Sequence, residues 1–181
     1  MAFNVNTFRG ELKQGGARPS LFEIQLFQPQ GGTLNGGDLI SKSPFMVRAG
    51  QIPQSTLGTV IVPYFGRQVK LAGNRTFDDW TVTVMNDEDF KIRNAMESWS
   101  HRINNHSENL NEYGTNPQQY KAQANVKQYS KEGGVIQTYT FDGLYPVAVA
   151  PIDLAWESEA IEEFTITFAY DWWEHIESGV N

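Results

Sequence analysis

Residues 75–88 read RTFDDWTVTVMNDE, a stretch that passes from a turn into a strand and on to the start of a helix. Trp80, Val82 and Val84 alternate with Thr81, Thr83 and Met85, the period of two that marks a strand. Asp87 then precedes the one convincing helical stretch, from about Glu88 to Asn104. Within it Ile92, Met96, Trp99 and Ile103 fall at i, i+4, i+7 and i+11, a single apolar stripe. Asp87, Glu88 and Asp89 fall at the positive end of the helix dipole, and Arg102 near the negative end. Met96 and Trp99 are expected to pack in the core, where such stripes are usually buried.

Outward from this block the chain is strand after strand. Residues 1–20 form a polar arm, expected to be loose in a free monomer. Leu21 to Gln28 is the first strand, residues 29–43 a glycine-rich loop, and Phe45 to Ile52 a second strand stopped by Pro53. A hairpin spans residues 56–71, with arms Thr56 to Tyr64 and Arg67 to Leu71 joined near Phe65-Gly66. Its first arm holds TVIVP, apolar and β-branched. Buried, such a hairpin would be ordinary; projecting, it would be an adhesive edge that an assembling subunit can use. Beyond the helix come a polar loop at 104–118, a strand from Tyr120 to Ser130 and a tight turn at Glu132-Gly133-Gly134. Val135 to Phe141, a fragment from Tyr145 to Ile152, and a last strand from Ile161 to Trp172 complete the pattern. Phe164, Ile166, Phe168, Tyr170 and Trp172 share one side of that last strand. Many short strands with one helix predict a β-barrel or sandwich with the helix packed against it.

The 181 residues suit one domain with a real core. The chain has no cysteine, which excludes disulfides, thiol catalysis and cysteine zinc sites. No apolar run approaches the roughly 20 residues of a membrane span, and the first 16 residues lack the apolar stretch of a signal peptide. Folding in a cytosol is expected. Net charge is −7 but unevenly spread. Residues 1–131 carry 14 Lys and Arg against 11 Asp and Glu, while residues 132–181 carry 10 acids and no Lys or Arg. This argues against a grip on nucleic acid, which needs basic surface. The acidic segment reads as a solvated face, or as one that meets a basic face of another copy or repels DNA in a channel.

A search for chemistry finds little. His101 and His106 are five apart, the wrong spacing for two ligands on one helical face. No nucleophile elbow, Walker or dinucleotide fingerprint is present. The pairs Asp78-Asp79 and Glu162-Glu163 would point to opposite faces of a strand and not converge. No cofactor, metal or catalytic residue is expected, and the chain reads as no enzyme. A carbohydrate-binding β-sandwich and a hydrolase using scattered carboxylates are the readings from other classes.

Several blocks resemble tail tube proteins of contractile-tailed (myovirus-type) bacteriophages. They are ARPSLFEIQL (17–26), AGNRTFDDWTVTVMND (72–87), YKAQANVKQY (120–129), FDGLYP (141–146) and Leu154 to Glu174 with its DWWE ending, in the family's order. The loops at 29–43 and 104–116 look longer than in the shortest members. The resemblance implies a mainly β, tail-tube-type barrel or sandwich of two antiparallel sheets. It also implies one flanking helix (88–104), extended arms (1–20) and a projecting hairpin (56–71), all in a single domain. It implies hexameric rings stacked into a tube inside a contractile sheath, a virion component assembled in the host bacterial cytoplasm. DNA would pass down the bore without specific binding. The partners implied are further copies, the sheath protein, baseplate tube initiators, the tape measure protein and the tail terminator, with no membrane. A baseplate tube initiator, or the tube subunit of a bacteriocin or type VI secretion system, is the neighbouring identity. Ring or stacking contacts are expected at Thr59, Val60, Ile61, Val62, Tyr64, Phe65 and Arg67. Acidic residues facing lumen or sheath are expected at Glu23, Glu157, Glu159 and Glu163.

Overall fold

The computed structural model describes residues 4–12, 16–32, 34 and 39–177. In chain order these form α1 (Val5–Glu11), β1 (Phe22–Leu26), α2 (Leu39–Met46), β2 (Val47–Gly50), β3 (Ser55–Tyr64) and β4 (Arg67–Phe77). There follow β5 (Trp80–Met85), α3 (Lys91–Ile103), β6 (Ala122–Tyr129), β7 (Val135–Val149), β8 (Glu163–Ala169) and β9 (Trp172–Glu177). Seven strands make one antiparallel sheet ordered β1-β6-β7-β8-β5-β2, with β9 also on β7; β3 and β4 pair only with each other.

Strand β7 divides the large sheet into two layers. Its first half pairs with β6 and β9, its second half with β8. The break falls at Gly143, whose φ of +70° suits glycine. A Cβ there would also lie 2.1 Å from Asp171 Oδ2. Inward residues of both layers share one core. Ile24, Leu26, Ala124 and Phe141 face Trp80, Val82, Val84, Ile166 and Phe168, and Trp80 stacks on Phe141 at 4.3 Å. Ile92, Ala95, Met96 and Trp99 of α3 join the same core, and Trp99 Nε1 donates to the Tyr120 carbonyl at 2.8 Å. The mainly β fold of two antiparallel sheets with a flanking helix is thus present. It is an open two-layer form, because β1 and β2 lie at opposite ends of the strand order and do not pair.

Several boundaries differ from the sequence reading. Among the described residues three α-helices stand where one was expected. The arm holds α1, capped by the Asn4 side chain. The 29–43 loop gives way to α2, and the second strand shrinks to β2. A tertiary contact explains α2: its buried Ser43 Oγ accepts from the Leu26 N–H at 2.9 Å, which covers the edge of β1. Helix α3 begins at Lys91, behind Phe90 in a left-handed conformation (φ 50°). Asp87 and Asp89 therefore lie outside its first turn and pair instead with Lys42 and Lys91. The hairpin arms run on to Phe77, well past Leu71. The expected last strand is two strands in different layers, β8 on β5 and β9 on β7. Asp171 makes that corner: its N–H donates to the Asp142 carbonyl at 3.0 Å and its carboxylate holds Lys121. Trp172 consequently leaves the buried side and is exposed.

Candidate assembly surfaces

The β3–β4 hairpin is a two-stranded ribbon with solvent on both sides. Thr59, Val60, Ile61, Val62, Tyr64, Phe65 and Arg67, all singled out from sequence, are all exposed. Directly opposed residues of an antiparallel pair point the same way. Val60 opposes Leu71, Val62 opposes Val69 and Tyr64 opposes Arg67. One face is therefore five apolar side chains ending in an arginine. Thr59, Ile61 and Pro63 share the other face with Ala72, Lys70 and Gln68. At the base, Gly58 and Gly73 sit so close that a Cβ on Gly73 would lie 3.0 Å from the Gly58 carbonyl oxygen. The tip is a turn with positive φ at both central residues, Phe65 (42°) and Gly66 (77°). That geometry favours Asn-Gly, yet Phe occupies the first position and is 91% exposed.

The four acidic candidates fall on two surfaces. Glu23 lies on β1, where it accepts a hydrogen bond from the Tyr129 hydroxyl. That bond, with help from burial and the carboxylate charge, pushes the Tyr129 phenol up to about 12. Glu163 opens β8 and pairs with Arg48. Glu157 and Glu159 stand exposed on the loop joining β7 to β8 and form no ion pair with any described residue. That loop also shows Leu154, Trp156 and Ile161 to solvent. Sequence reasoning passed over these three because they follow neither a period of two nor one of 3.6.

Chemistry-bearing clusters are sparse. Helix α3 ends at Ile103, and the chain turns so that His106 Nδ1 comes within 3.3 Å of His101 Nδ1. A spacing of five thus brings the rings together after all, because the helix stops between them. No third potential metal ligand joins them among the described residues.

Comparison with known proteins bears on these surfaces. The sequence profile of the phage tail tube protein family matches residues 17–176. Tail tube protein gp19 of Enterobacteria phage T4 is 32% identical over 160 residues, covering 87% of this chain and 91% of gp19. The tail tube protein of Serratia phage KSP90 is 24% identical over 163 residues, 89% of each chain. Among solved structures, a chain of the anti-feeding prophage baseplate has a similar fold (TM-score 0.60, 15% identity, 89% of this chain and 95% of that one). So does a chain of the sheath-tube complex of an extracellular contractile injection system (TM-score 0.56, 12% identity, 97% and 99%).

Proposed function

We infer the working assembly from one premise: the chain belongs to the phage tail tube protein family and is a structural subunit of the tail tube of a contractile phage. In our reading, six copies close into a ring and rings stack into a tube within the sheath. The observation that carries this is the hairpin. Two-stranded ribbons are marginal in water, and this one leaves Val60, Val62, Tyr64, Val69 and Leu71 exposed. A neighbouring subunit that covers that face removes the cost. The interface should be obligate in size, about 2,000 Å² or more in total. The two readings from other classes lose their motive, since this family's role explains the aromatic content and the exposed ribbon together.

For the bore we propose the outward face of β1, β6, the first half of β7 and β9. It presents Gln25, Asn125, Thr138 and Thr140 with Glu23 and Glu174 against Lys127, and the exposed Trp172 and Ile176 along β9. Amides, hydroxyls, two apolar side chains and a slight acid excess give phosphates little to hold, so duplex DNA can slide. Sheath, terminator, tape measure and baseplate proteins are the partners we propose for the tube, with assembly in the host cytoplasm.

Sedimentation and negative-stain microscopy test the reading: purified protein, seeded with baseplate components, should yield rings or tubes with a central hole. Protein that stays monomeric at high concentration would defeat it. Rings that bind duplex DNA with a steep salt dependence would defeat the bore assignment alone.

A further inference from the structure

We propose that the hairpin tip of one subunit docks into the β7–β8 loop of another, a head-to-tail contact between copies. The proposal rests on the tube reading and names the two surfaces that meet. Four observations carry it.

The first is placement. Strand β5 starts at Trp80, just after the hairpin, and ends at Met85, which pairs with Glu163 at the close of the acidic loop. The hairpin and the loop therefore leave the same layer from opposite ends. Six strand residues put them about 17 Å apart at their bases, so the two features stand at opposite ends of the layer. Two complementary surfaces at opposite ends of one subunit make a heterologous contact, which repeats from copy to copy instead of closing on itself as an isologous pair would.

The second is charge. Residues 55–77 carry Arg67, Lys70 and Arg75 and no acid. Residues 150–163 carry Asp153, Glu157, Glu159, Glu162 and Glu163 and no base. Arg67 and Lys70 have no ion-pair partner within the described chain, and neither do Asp153, Glu157 and Glu159. Each surface holds the charge that the other lacks.

The third is shape. The loop borders an open cavity of about 290 Å³ whose apolar wall is Ile152, Leu154, Ala160 and Ile161. Its larger, polar part is Asp153, Ser158, Glu162 and Glu163, so a side chain that enters meets both apolar surface and carboxylates. That volume lies at the small end of ligand pockets and suits one or two side chains better than a metabolite. Phe65 is such a side chain, held at the tip in a left-handed conformation that an aromatic residue rarely adopts. A costly residue kept in water at a turn is a feature to be explained by what it meets.

The fourth is anchoring. Both feet of the loop are fixed to the body. The Ala150 N–H donates to the Thr165 carbonyl and its own carbonyl accepts from Arg93. At the other foot, Asn86 donates to Glu162 from its side chain and its backbone. A fixed receptor loses less freedom on binding than a loose one.

The chain has no cysteine, so engineered pairs report without background. Phe65→Cys combined with Ser158→Cys, assembled and then oxidised, should give a ladder of disulfide-linked multimers. Either single variant should give none. Tubes of normal yield without the ladder would overturn the proposal and leave the tube reading intact. Charge reversal is the second arm. Arg67→Glu with Lys70→Glu, or Glu157→Lys with Glu159→Lys, should each cut tube yield by about tenfold or more, as like charges meeting across an interface do. The four changes together should restore most of it. If the acidic reversals leave tube yield unchanged and abolish sheath binding, the loop faces a basic partner outside the tube and the proposal fails. A parent chain that forms neither rings nor tubes would remove the tube reading, and this proposal with it.

Discussion

Strands β3 and β5 carry nearly the same words, TVIV at 59–62 and TVTV at 81–84, and meet opposite fates. Val82 and Val84 are 0% exposed, whereas Val60 and Val62 are 52% and 41% exposed. Strand β5 lies between β2 and β8, with the other layer stacked on its inner face through Trp80 and Phe141. Strand β3 has β4 on one side and water elsewhere. β-branched residues make both segments extended. What lies opposite decides whether they are core. The same composition therefore supports a stable body in one place and an interface in the other.

The largest expected effect breaks this pair apart. Val82→Asp places an unpaired charge in the core and should cost more than about 4 kcal/mol, enough to unfold the subunit. Val62→Asp should move monomer stability by no more than about 0.5 kcal/mol while abolishing tubes. Circular dichroism and denaturant melts read the first quantity, sedimentation the second. A Val62→Asp subunit that unfolds would mean the ribbon belongs to the core after all. Next in size is Trp99→Ala. Trp99 is fully buried and its indole N–H is satisfied by the Tyr120 carbonyl. Truncation should cost about 3–5 kcal/mol, with assembly of the surviving folded protein unchanged.

The body of the fold was legible where period and burial agree. Trp80 to Met85 and Phe164 to Phe168 alternate cleanly, and each alternation is a buried face. The α3 stripe at Ile92, Met96 and Trp99 is core for the same reason. Legibility failed where one distant residue decides the local structure. Nothing in LISKSPFM announces a helix, with Pro44 inside it; Ser43 reaching Leu26 supplies the reason. The alternation through Tyr170 and Trp172 looks unbroken, yet Asp171 turns the chain by seating against Gly143 and Lys121. The hairpin residues were chosen correctly as a strand pair, but their exposure is a property of what surrounds them. In the acidic loop, charge was visible and the cavity it borders was not, since its apolar wall at Leu154 and Ile161 joins residues seven apart.

A smaller effect sharpens the contrast at the tip. Phe65 holds φ 42° beside Gly66 at 77°. Left-handed backbone costs an ordinary residue about 1–2 kcal/mol, and asparagine bears it better. Phe65→Asn should raise the stability of the isolated subunit by up to about 1 kcal/mol and lower its yield of tubes. A residue change that strengthens the fold and weakens the assembly would separate the two roles more cleanly than any destabilising variant. A loss of both would show that the edge-to-face contact of the Phe65 ring with Tyr64, at 4.7 Å, outweighs the backbone strain.

The smallest effect belongs to the body and is a matter of pH. The Tyr129 phenol stands at about 12, first because it donates to Glu23, then through burial and the charge of that carboxylate. In the unfolded chain it returns to about 10. A folded-state value above the unfolded one adds stability that is complete below pH 10, where the phenol is protonated in both states. From about pH 10 the unfolded chain loses a proton that the folded chain retains, so the contribution declines and is gone above about 12. Urea midpoints for the parent should therefore fall more steeply between about pH 10 and 12 than those of Tyr129→Phe, which has no proton to lose there. Glu23→Gln should flatten the curve in the same direction, because the largest cause of the shift is removed. The hairpin residues Val60 and Val62 do not titrate, so Val62→Asp should leave this alkaline slope unchanged while removing assembly. Parallel slopes for parent and Tyr129→Phe would show that the Glu23–Tyr129 contact does not join β1 to β6 in solution.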